Sequence, residues 1–206
     1  MKRLIALLCL VPVLALAGIE EGEQAVLLVA HPRLGDSEFA QTVVLVTFPQ
    51  DAGPTGVVLN RPLGVTLGAL FEEHPEIADR KDMVYSGGPV QPDGVLFVFR
   101  SPEHPVKALP VIDDIYLSAD GKLFDALMAK PEEASTQRFY VGYAGWAEGQ
   151  LDAEVARGDW YALPMDADVI YNMPVETMWE TLLVRATSDT AREPDRTGRA
   201  VASRTP

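Results

Sequence analysis

Three glycine-rich segments place polar and aromatic side chains where a backbone turn could meet a ligand. In the first, residues 56–62, an apolar run ends in Asn60 and Arg61. Arg61 could hold a carboxylate or a phosphate through two parallel hydrogen bonds. Asn60 could instead stabilise a turn through its own backbone contacts. For both residues a structural role and a ligand-binding role are open at this point.

The second segment, residues 86–90, places Gly87 and Gly88 directly after another apolar run. Successive glycines with free amides can form an anion-binding nest. They can equally form a tight turn that packs beneath a neighbouring strand, because glycine has no side chain to obstruct the approach. Ser86 does not lie in a Gly-x-Ser-x-Gly motif, so we do not predict it to be a nucleophile.

The third segment, residues 142–151, leads from Tyr143 and Trp146 through glycines into a predicted helix at Gln150. Its glycines would let aromatic rings lie against backbone, or would leave the helix N-terminus open to an anion. Glu148 would suit the same helix dipole without any ligand. The spacing matches neither the dinucleotide motif nor the Walker motif. We expect the three segments to meet at one rim of a sheet and form a concave site of Asn60, Arg61, Gly87, Gly88, Tyr143, Trp146 and Gln150.

The residues that usually perform hydrolysis are scattered along this chain. His31, His74 and His104 are isolated from one another, and acidic pairs such as Asp113–Asp114 are adjacent in sequence, so their side chains project differently. A hydrolase needs a nucleophile near a base, or closely spaced metal ligands. We therefore predict no catalytic residue, no metal site and no cofactor, and retain a hydrolase that uses paired carboxylates as an alternative.

Short apolar runs bounded by glycine and proline predict buried strands. These runs are 26–30, 42–48, 56–60, 83–85, 95–99, 115–118 and 138–141. Apolar residues at helical spacing predict helices between and after them. These helices lie near Leu67, Leu123 and Leu151, the second ending before Pro131, and after Pro174. The expected fold is α/β: a mixed β-sheet sandwiched by helices, in a single compact domain over residues 18–186.

The N-terminus has the layout of a secretory signal peptide. Met1-Lys2-Arg3 is basic, residues 4–16 are apolar, and Ala15-Leu16-Ala17 resembles a cleavage site. The apolar stretch is shorter than the roughly 20 residues that a spanning helix needs. We predict cleavage after Ala17 and a periplasmic or secreted protein with no stable membrane span. Cleavage would remove Cys9, the only cysteine, and with it all thiol chemistry.

The charge of the chain argues against a nucleic-acid partner. Thirty acidic residues against 17 basic ones give a formal net charge of -13, and phosphate backbones are bound by clustered Lys and Arg. The partner expected here is an unknown protein or a small anionic ligand. From residue 187 arginines alternate with acids, glycine and proline. Residues 187–206 are therefore predicted to be a disordered tail.

Five ordered motifs make the chain resemble the YqgE/AlgH family over roughly residues 22–183. They are Leu-Leu-Val-Ala-x-Pro at 27–32 with Asp36, Phe39 and Thr42-Val43-Val44; Gly-Val-Val-Leu-Asn-Arg-Pro at 56–62; Gly-Gly-Pro-Val at 87–90; Gly-Tyr-Ala-Gly-Trp at 142–146; and Gly-Gln-Leu at 149–151 with Trp160. The resemblance implies a mixed-sheet α/β sandwich. Two features depart from the family pattern: the signal peptide, and Arg100 at a position where relatives often have histidine.

The resemblance implies no assigned biochemical activity. The family carries a transcriptional-regulator label, but this sequence contains no DNA-binding motif. We favour a non-catalytic ligand- or protein-binding module that is exported. A transcriptional regulator and an uncharacterised hydrolase are the alternatives.

Overall fold

The computed structural model describes residues 23–35, 37–129 and 136–192. The predicted signal peptide, Asp36, Pro131 and residues 193–206 of the predicted tail lie outside these ranges. The first residues of that tail, 187–192, belong to the last helix, so the predicted domain boundary at residue 186 falls inside this helix.

The described residues contain ten strands and five α-helices. The strands are β1 (Ala25–Ala30), β2 (Val43–Thr47), β3 (Thr55–Val58), β4 (Pro62–Thr66), β5 (Met83–Ser86), β6 (Val90–Arg100), β7 (Leu109–Ile112), β8 (Ile115–Ser118), β9 (Gln137–Gly145) and β10 (Trp160–Pro164). The helices are α1 (Leu67–Leu70), α2 (Gly121–Met128), α3 (Gln150–Arg157), α4 (Ala167–Tyr171) and α5 (Met178–Arg192), with a 3-10 helix at Pro32–Leu34.

The strands form one sheet with the order β10-β1-β2-β3-β9-β6-β8-β7. Neighbours along this path are antiparallel. The exception to the antiparallel pattern is β5, which pairs with β9 in parallel and with β4 in antiparallel fashion. The prediction of a mixed sheet is therefore confirmed.

The sheet curls into a half-barrel. Strand β7 lies at one end of the strand order, yet its residues contact β1 and β2 near the other end. The inner face is filled by an apolar cluster to which every strand of the path contributes, together with Val169 of α4 and Met178 and Leu182 of α5. Curling of this kind lets a strongly twisted sheet bury one face against itself.

The outer face carries two separate apolar clusters. One surrounds Trp146 and Trp160 and is covered in part by α3. The other surrounds Phe97 and Phe139 and is covered by α1, α2 and the loop around Ile77. A mixed α/β single domain is what these contacts show. The finer prediction of a sheet sandwiched by helices is not confirmed, because the sheet covers much of its own inner face and α1 and α4 have four and five residues.

The predicted strands correspond to β1, β2, β3, β5, β6, β8 and β9. Three strands were missed, and each contains a proline: β4 has Pro62, β7 has Pro110 and β10 has Pro164. Helix α5 begins at Met178 rather than at Pro174, because residues 174–177 form a hydrogen-bonded turn first. None of the described helices combines the length and the apolar composition that crossing a membrane requires.

Candidate ligand site at the mouth of the half-barrel

Gly87 and Gly88 lie at the point where the sheet branches. The Gly87 amide donates to the Val141 carbonyl at 2.8 Å, and its carbonyl accepts from the Val58 amide at 2.9 Å, so this residue bridges β3 and β9. A Cβ on Gly87 would stand 2.2 Å from the Gly142 oxygen, and one on Gly88 would stand 2.3 Å from the Tyr143 carbonyl carbon. Because the Gly87 amide is already bonded, this geometry favours the tight packing turn over the anion nest.

Asn60 and Arg61 follow the C-terminal end of β3, and their side chains bond to backbone groups near the start of β2. The Asn60 side chain accepts from the Val43 amide at 3.0 Å and donates to the Gln41 carbonyl at 2.9 Å. The Arg61 guanidinium donates to the Ala40 carbonyl at 3.3 Å. Both side chains therefore fasten the segment before β2 to the turn after β3.

Trp146 and Gln150 both donate hydrogen bonds to the carboxylate of Glu154, a residue that was not among the predicted site residues. Glu154 Oε2 accepts from the indole Nε1 of Trp146 and from that of Trp160, each at 2.9 Å. Its Oε1 accepts from the Gln150 side chain at 2.9 Å. Trp146 is 7% exposed. In the sequence, the spacing of one helical turn between Gln150 and Glu154 could have predicted their contact. Nothing in the sequence showed that Trp160 would also bond to Glu154.

Tyr143 is separated from Trp146 by the sheet itself. Tyr143 packs against the inner cluster, whereas Ala144 and Trp146 belong to an outer one. The alternation of side chains along β9 produces this separation. The seven predicted residues therefore do not line one concave surface: Asn60 and Arg61 bond to the segment around the start of β2, and Gly87 and Gly88 lie at the branch of the sheet. Trp146 and Gln150 meet at Glu154, and Tyr143 faces a cavity.

That cavity lies at the end of the half-barrel where β3, β6 and β7 begin and β8 and β9 end; we call this end the barrel mouth. Its volume is about 380 Å³, within the range of small-molecule sites. Its apolar wall is formed by Leu96, Leu109, Leu117 and Tyr143. A neighbouring cavity of about 280 Å³ shares Leu109 and extends toward the start of β1 at Gln24.

The polar rim of the cavity is built around Asp120. Its Oδ2 accepts from Lys107 Nζ at 2.8 Å, and its Oδ1 accepts from the Leu123 amide at 3.1 Å, which caps α2. Ser118 Oγ donates to the Lys107 carbonyl at 2.7 Å and accepts from the Asp120 amide at 3.0 Å. The hydrogen bond to Lys107 lowers the pKa of Asp120, and the same bond raises the pKa of Lys107. Both groups are therefore charged at neutral pH.

The histidines have local partners away from this rim. His31 Nδ1 accepts from the Arg33 amide at 3.1 Å, His74 Nδ1 lies 3.3 Å from Glu76, and His104 Nδ1 shares a hydrogen bond with the Tyr116 hydroxyl at 2.5 Å. In the part of the chain that the structure describes, no three His, Cys, Asp or Glu side chains are grouped so that they could hold a metal ion.

The fold and the cavity define a class: a single-domain α/β protein whose curled sheet opens at one end into a pocket of small-molecule size. Comparison with known proteins then identifies the family. The AlgH-like family model matches residues 27–191. The chain belongs to this family, and the resemblance drawn from its motifs is confirmed.

Relatives and a solved structure agree with this assignment. A UPF0301 protein of Xylella fastidiosa is 35% identical over 178 residues, which cover 84% of this chain and 94% of the relative. A UPF0301 protein of Anaeromyxobacter sp. strain K is 36% identical over 176 residues, covering 80% and 88%. The AlgH protein of Pseudomonas aeruginosa superposes with a TM-score of 0.66 at 25% identity, covering 85% of this chain and 96% of that one. Their names state no activity.

Proposed function

We propose that this protein is a non-catalytic binding module whose ligand site is the cavity at the barrel mouth. The observation that carries the proposal is the cavity itself: about 380 Å³, with an apolar wall and a few polar groups on one rim. Sites for small ligands combine a largely apolar lining with a small number of placed polar groups. Burial of an apolar ligand body against this wall would supply binding free energy in proportion to the buried area.

The hydrogen bonds at the rim favour binding over hydrolysis. A nucleophilic serine needs a base that accepts its proton. Ser118 Oγ instead donates to the backbone carbonyl of Lys107. Asp120 is occupied by Lys107 and by the amide that begins α2. These groups shape and charge the rim without forming a nucleophile–base pair.

Blocking the cavity tests the binding proposal. A Leu109→Trp variant would place a larger side chain at the wall, and Val106→Trp is the matched control because Val106 is fully exposed (100%) three residues earlier. Small molecules that raise the melting temperature of the protein should lose this effect in Leu109→Trp and keep it in Val106→Trp. A screen whose hits bind both variants equally would show that the site lies elsewhere, and a screen without hits would also contradict the proposal.

We propose further that the protein is exported after cleavage behind Ala17. The basic start, the apolar run and the small-residue motif support this, and the family match begins only at residue 27. The expected result is an intact mass that begins at Gly18, found in the periplasmic or secreted fraction, with no reactive thiol because Cys9 is gone. A cytoplasmic chain of the full 22.4 kDa would refute export.

A further inference from the structure

We infer that the cavity at the barrel mouth takes an apolar carboxylate, with its hydrocarbon body on the wall of Leu96, Leu109 and Leu117 and its carboxylate on Lys107. This inference rests on the proposed function and names the ligand class of the same site. It follows from which hydrogen-bonding groups of the rim are already used and which remain available.

The acceptors of the rim are partly used within the protein, and the charge beside them is positive. Each oxygen of Asp120 accepts a hydrogen bond, one from Lys107 and one from Leu123. Ser118 Oγ accepts from the Asp120 amide and donates its own proton to a carbonyl. A ligand amine could reach the remaining lone pairs of Asp120, but it would bring a second positive charge beside the Lys107 ammonium, which lies 2.8 Å from Oδ2 and would repel it.

The donors of the rim are available. The ammonium group of Lys107 has three N–H donors. Among the described residues it donates one side-chain hydrogen bond, to Asp120. Tyr143 and Gln91 also line the cavity. Within the same described ranges, the Tyr143 hydroxyl and the side-chain amide of Gln91 have no hydrogen-bond partner. A group that accepts several hydrogen bonds and carries negative charge matches this supply, and a carboxylate is such a group.

Lys107 is also free to adjust its position. Its side chain is 66% exposed, whereas that of Asp120 is 17% exposed. An ion pair with one partner this exposed contributes little to stability, so turning the ammonium toward a ligand costs little. Asp120 would keep its bond to the Leu123 amide and thereby maintain the start of α2.

The net charge of the protein decides which part of the ligand supplies the affinity. A formal charge of -13 repels any anion at long range. Most of the affinity must therefore come from the apolar body, at about fourfold for each added methylene that is buried. Lys107 would supply recognition of the head group, worth about fivefold for an exposed charge pair.

Calorimetric titration of the full mature chain tests the inference. The probes are hexanoate, octanoate, decanoate, octanol and octylamine. We expect affinity to rise from hexanoate to decanoate and octanoate to bind about fivefold more tightly than octanol. Lys107→Gln should remove the advantage of octanoate and leave octanol unchanged. Lys122→Gln is the matched control, because Lys122 is an exposed lysine on the nearby helix α2.

The outcomes separate the ligand class from the site. If octanoate and octanol bind equally, Lys107→Gln changes neither, and Leu109→Trp blocks both, the carboxylate inference is wrong while the cavity remains the site. Tighter binding of octylamine than of octanoate would likewise overturn it and assign recognition to Asp120. Binding that Leu109→Trp leaves unchanged, or no binding by any probe, would overturn the proposed function as well.

Discussion

At the scale of single residues, Glu154 joins two aromatic side chains that are far apart in sequence. Its carboxylate accepts from the indoles of Trp146 and Trp160, which are 7% and 5% exposed. The two rings also meet edge to face with centroids 6.4 Å apart. Buried donors that lose their acceptor cost about 1–3 kcal/mol each, so one carboxylate controls a large share of this cluster's stability.

A Glu154→Leu variant should therefore lower the free energy of unfolding by about 2–4 kcal/mol, since two buried indole donors lose their acceptor. Urea unfolding followed by tryptophan fluorescence and circular dichroism measures this change. Glu148→Leu is the control, because Glu148 is exposed and precedes the same helix. Equal losses in both variants would contradict the role assigned to Glu154.

A second residue-scale feature is a pair of tyrosines, the buried Tyr140 and the partly buried Tyr171. Burial raises the pKa of both hydroxyls well above the usual range. Among the described residues the Tyr171 hydroxyl oxygen is buried without a hydrogen-bond partner, and the guanidinium groups of Arg100 and Arg138 lie over its ring at 5.2 and 5.4 Å. Arg100 thus packs on Tyr171 and pairs with Asp114.

The raised pKa values predict a loss of stability in alkali. In the unfolded chain these tyrosines deprotonate near pH 10, while in the folded protein they stay protonated. The unfolded state then binds fewer protons, so the free energy of unfolding falls as pH rises above about 10. The slope is at most about 1.4 kcal/mol per pH unit for each tyrosine.

Urea unfolding at pH 9 and pH 11 would measure this slope. Tyr171→Phe should reduce it and should leave stability at pH 7 unchanged or slightly higher, because the lost hydroxyl has no partner in the part of the chain that the structure describes. A Tyr171→Phe protein with the full alkaline loss would show that this hydroxyl titrates freely in the folded state.

At the scale of elements, the branch of the sheet between β3 and β9 explains why residues 87 and 88 are both glycine. Beyond the pairing of Gly56 with Ala144, the two strands separate and Gly87 bonds to both sides of the gap. Strands β4 and β5 leave the main path here, so the branch depends on a residue without a side chain.

A Gly87→Ala substitution should therefore lower the free energy of unfolding by about 3 kcal/mol or more, or prevent soluble expression, because its Cβ would meet a backbone oxygen 2.2 Å away. Gly121→Ala is the control, since among the described residues no atom outside its chain neighbours and its own helix backbone lies within 4 Å of the Cβ it would add. This control should be neutral or slightly stabilising. Comparable stability of the two variants would refute the close-packing explanation.

Helix α5 is the second element that holds the half-barrel, because it packs on β1 and β10 and contributes to the inner cluster. Leu182 of this helix is fully buried, whereas Val184 is 65% exposed. Leu182→Ala should cost about 2–5 kcal/mol by leaving a cavity, and Val184→Ala should change stability by less than about 0.5 kcal/mol. Thermal and urea unfolding would compare them, and a small effect of Leu182→Ala would show that α5 is not coupled to the core.

At the scale of the whole molecule, curling of the sheet creates the candidate site. The cavity draws its wall from β6, β7, β8 and β9, and its rim from the segments around Lys107 and Asp120. Leu109 and Leu117 are cross-strand partners in the β7–β8 pair, which brings Lys107 beside Asp120, and the curl of the sheet adds Thr55 of β3 to the lining. The proposed binding site is therefore a product of the global fold and not of any single motif.

The sequence by itself determined seven of the strands, the position of α1 to α3, the single α/β domain and the family. These features depend on local periodicity, glycine and proline, and ordered motifs, which a single chain displays directly. Tyr143 is the one predicted site residue that also lines the cavity.

Only the tertiary structure decided which residues line the cavity. Side chains alternate along a strand, so Tyr143 and Trp146 fell on opposite faces although they are three residues apart. Lys107 and Asp120 were not recognised in the sequence, because their pairing depends on how β8 and α2 follow the loop before β7. Local pattern specifies elements, but the direction in which a sheet curls depends on contacts between residues far apart in the chain.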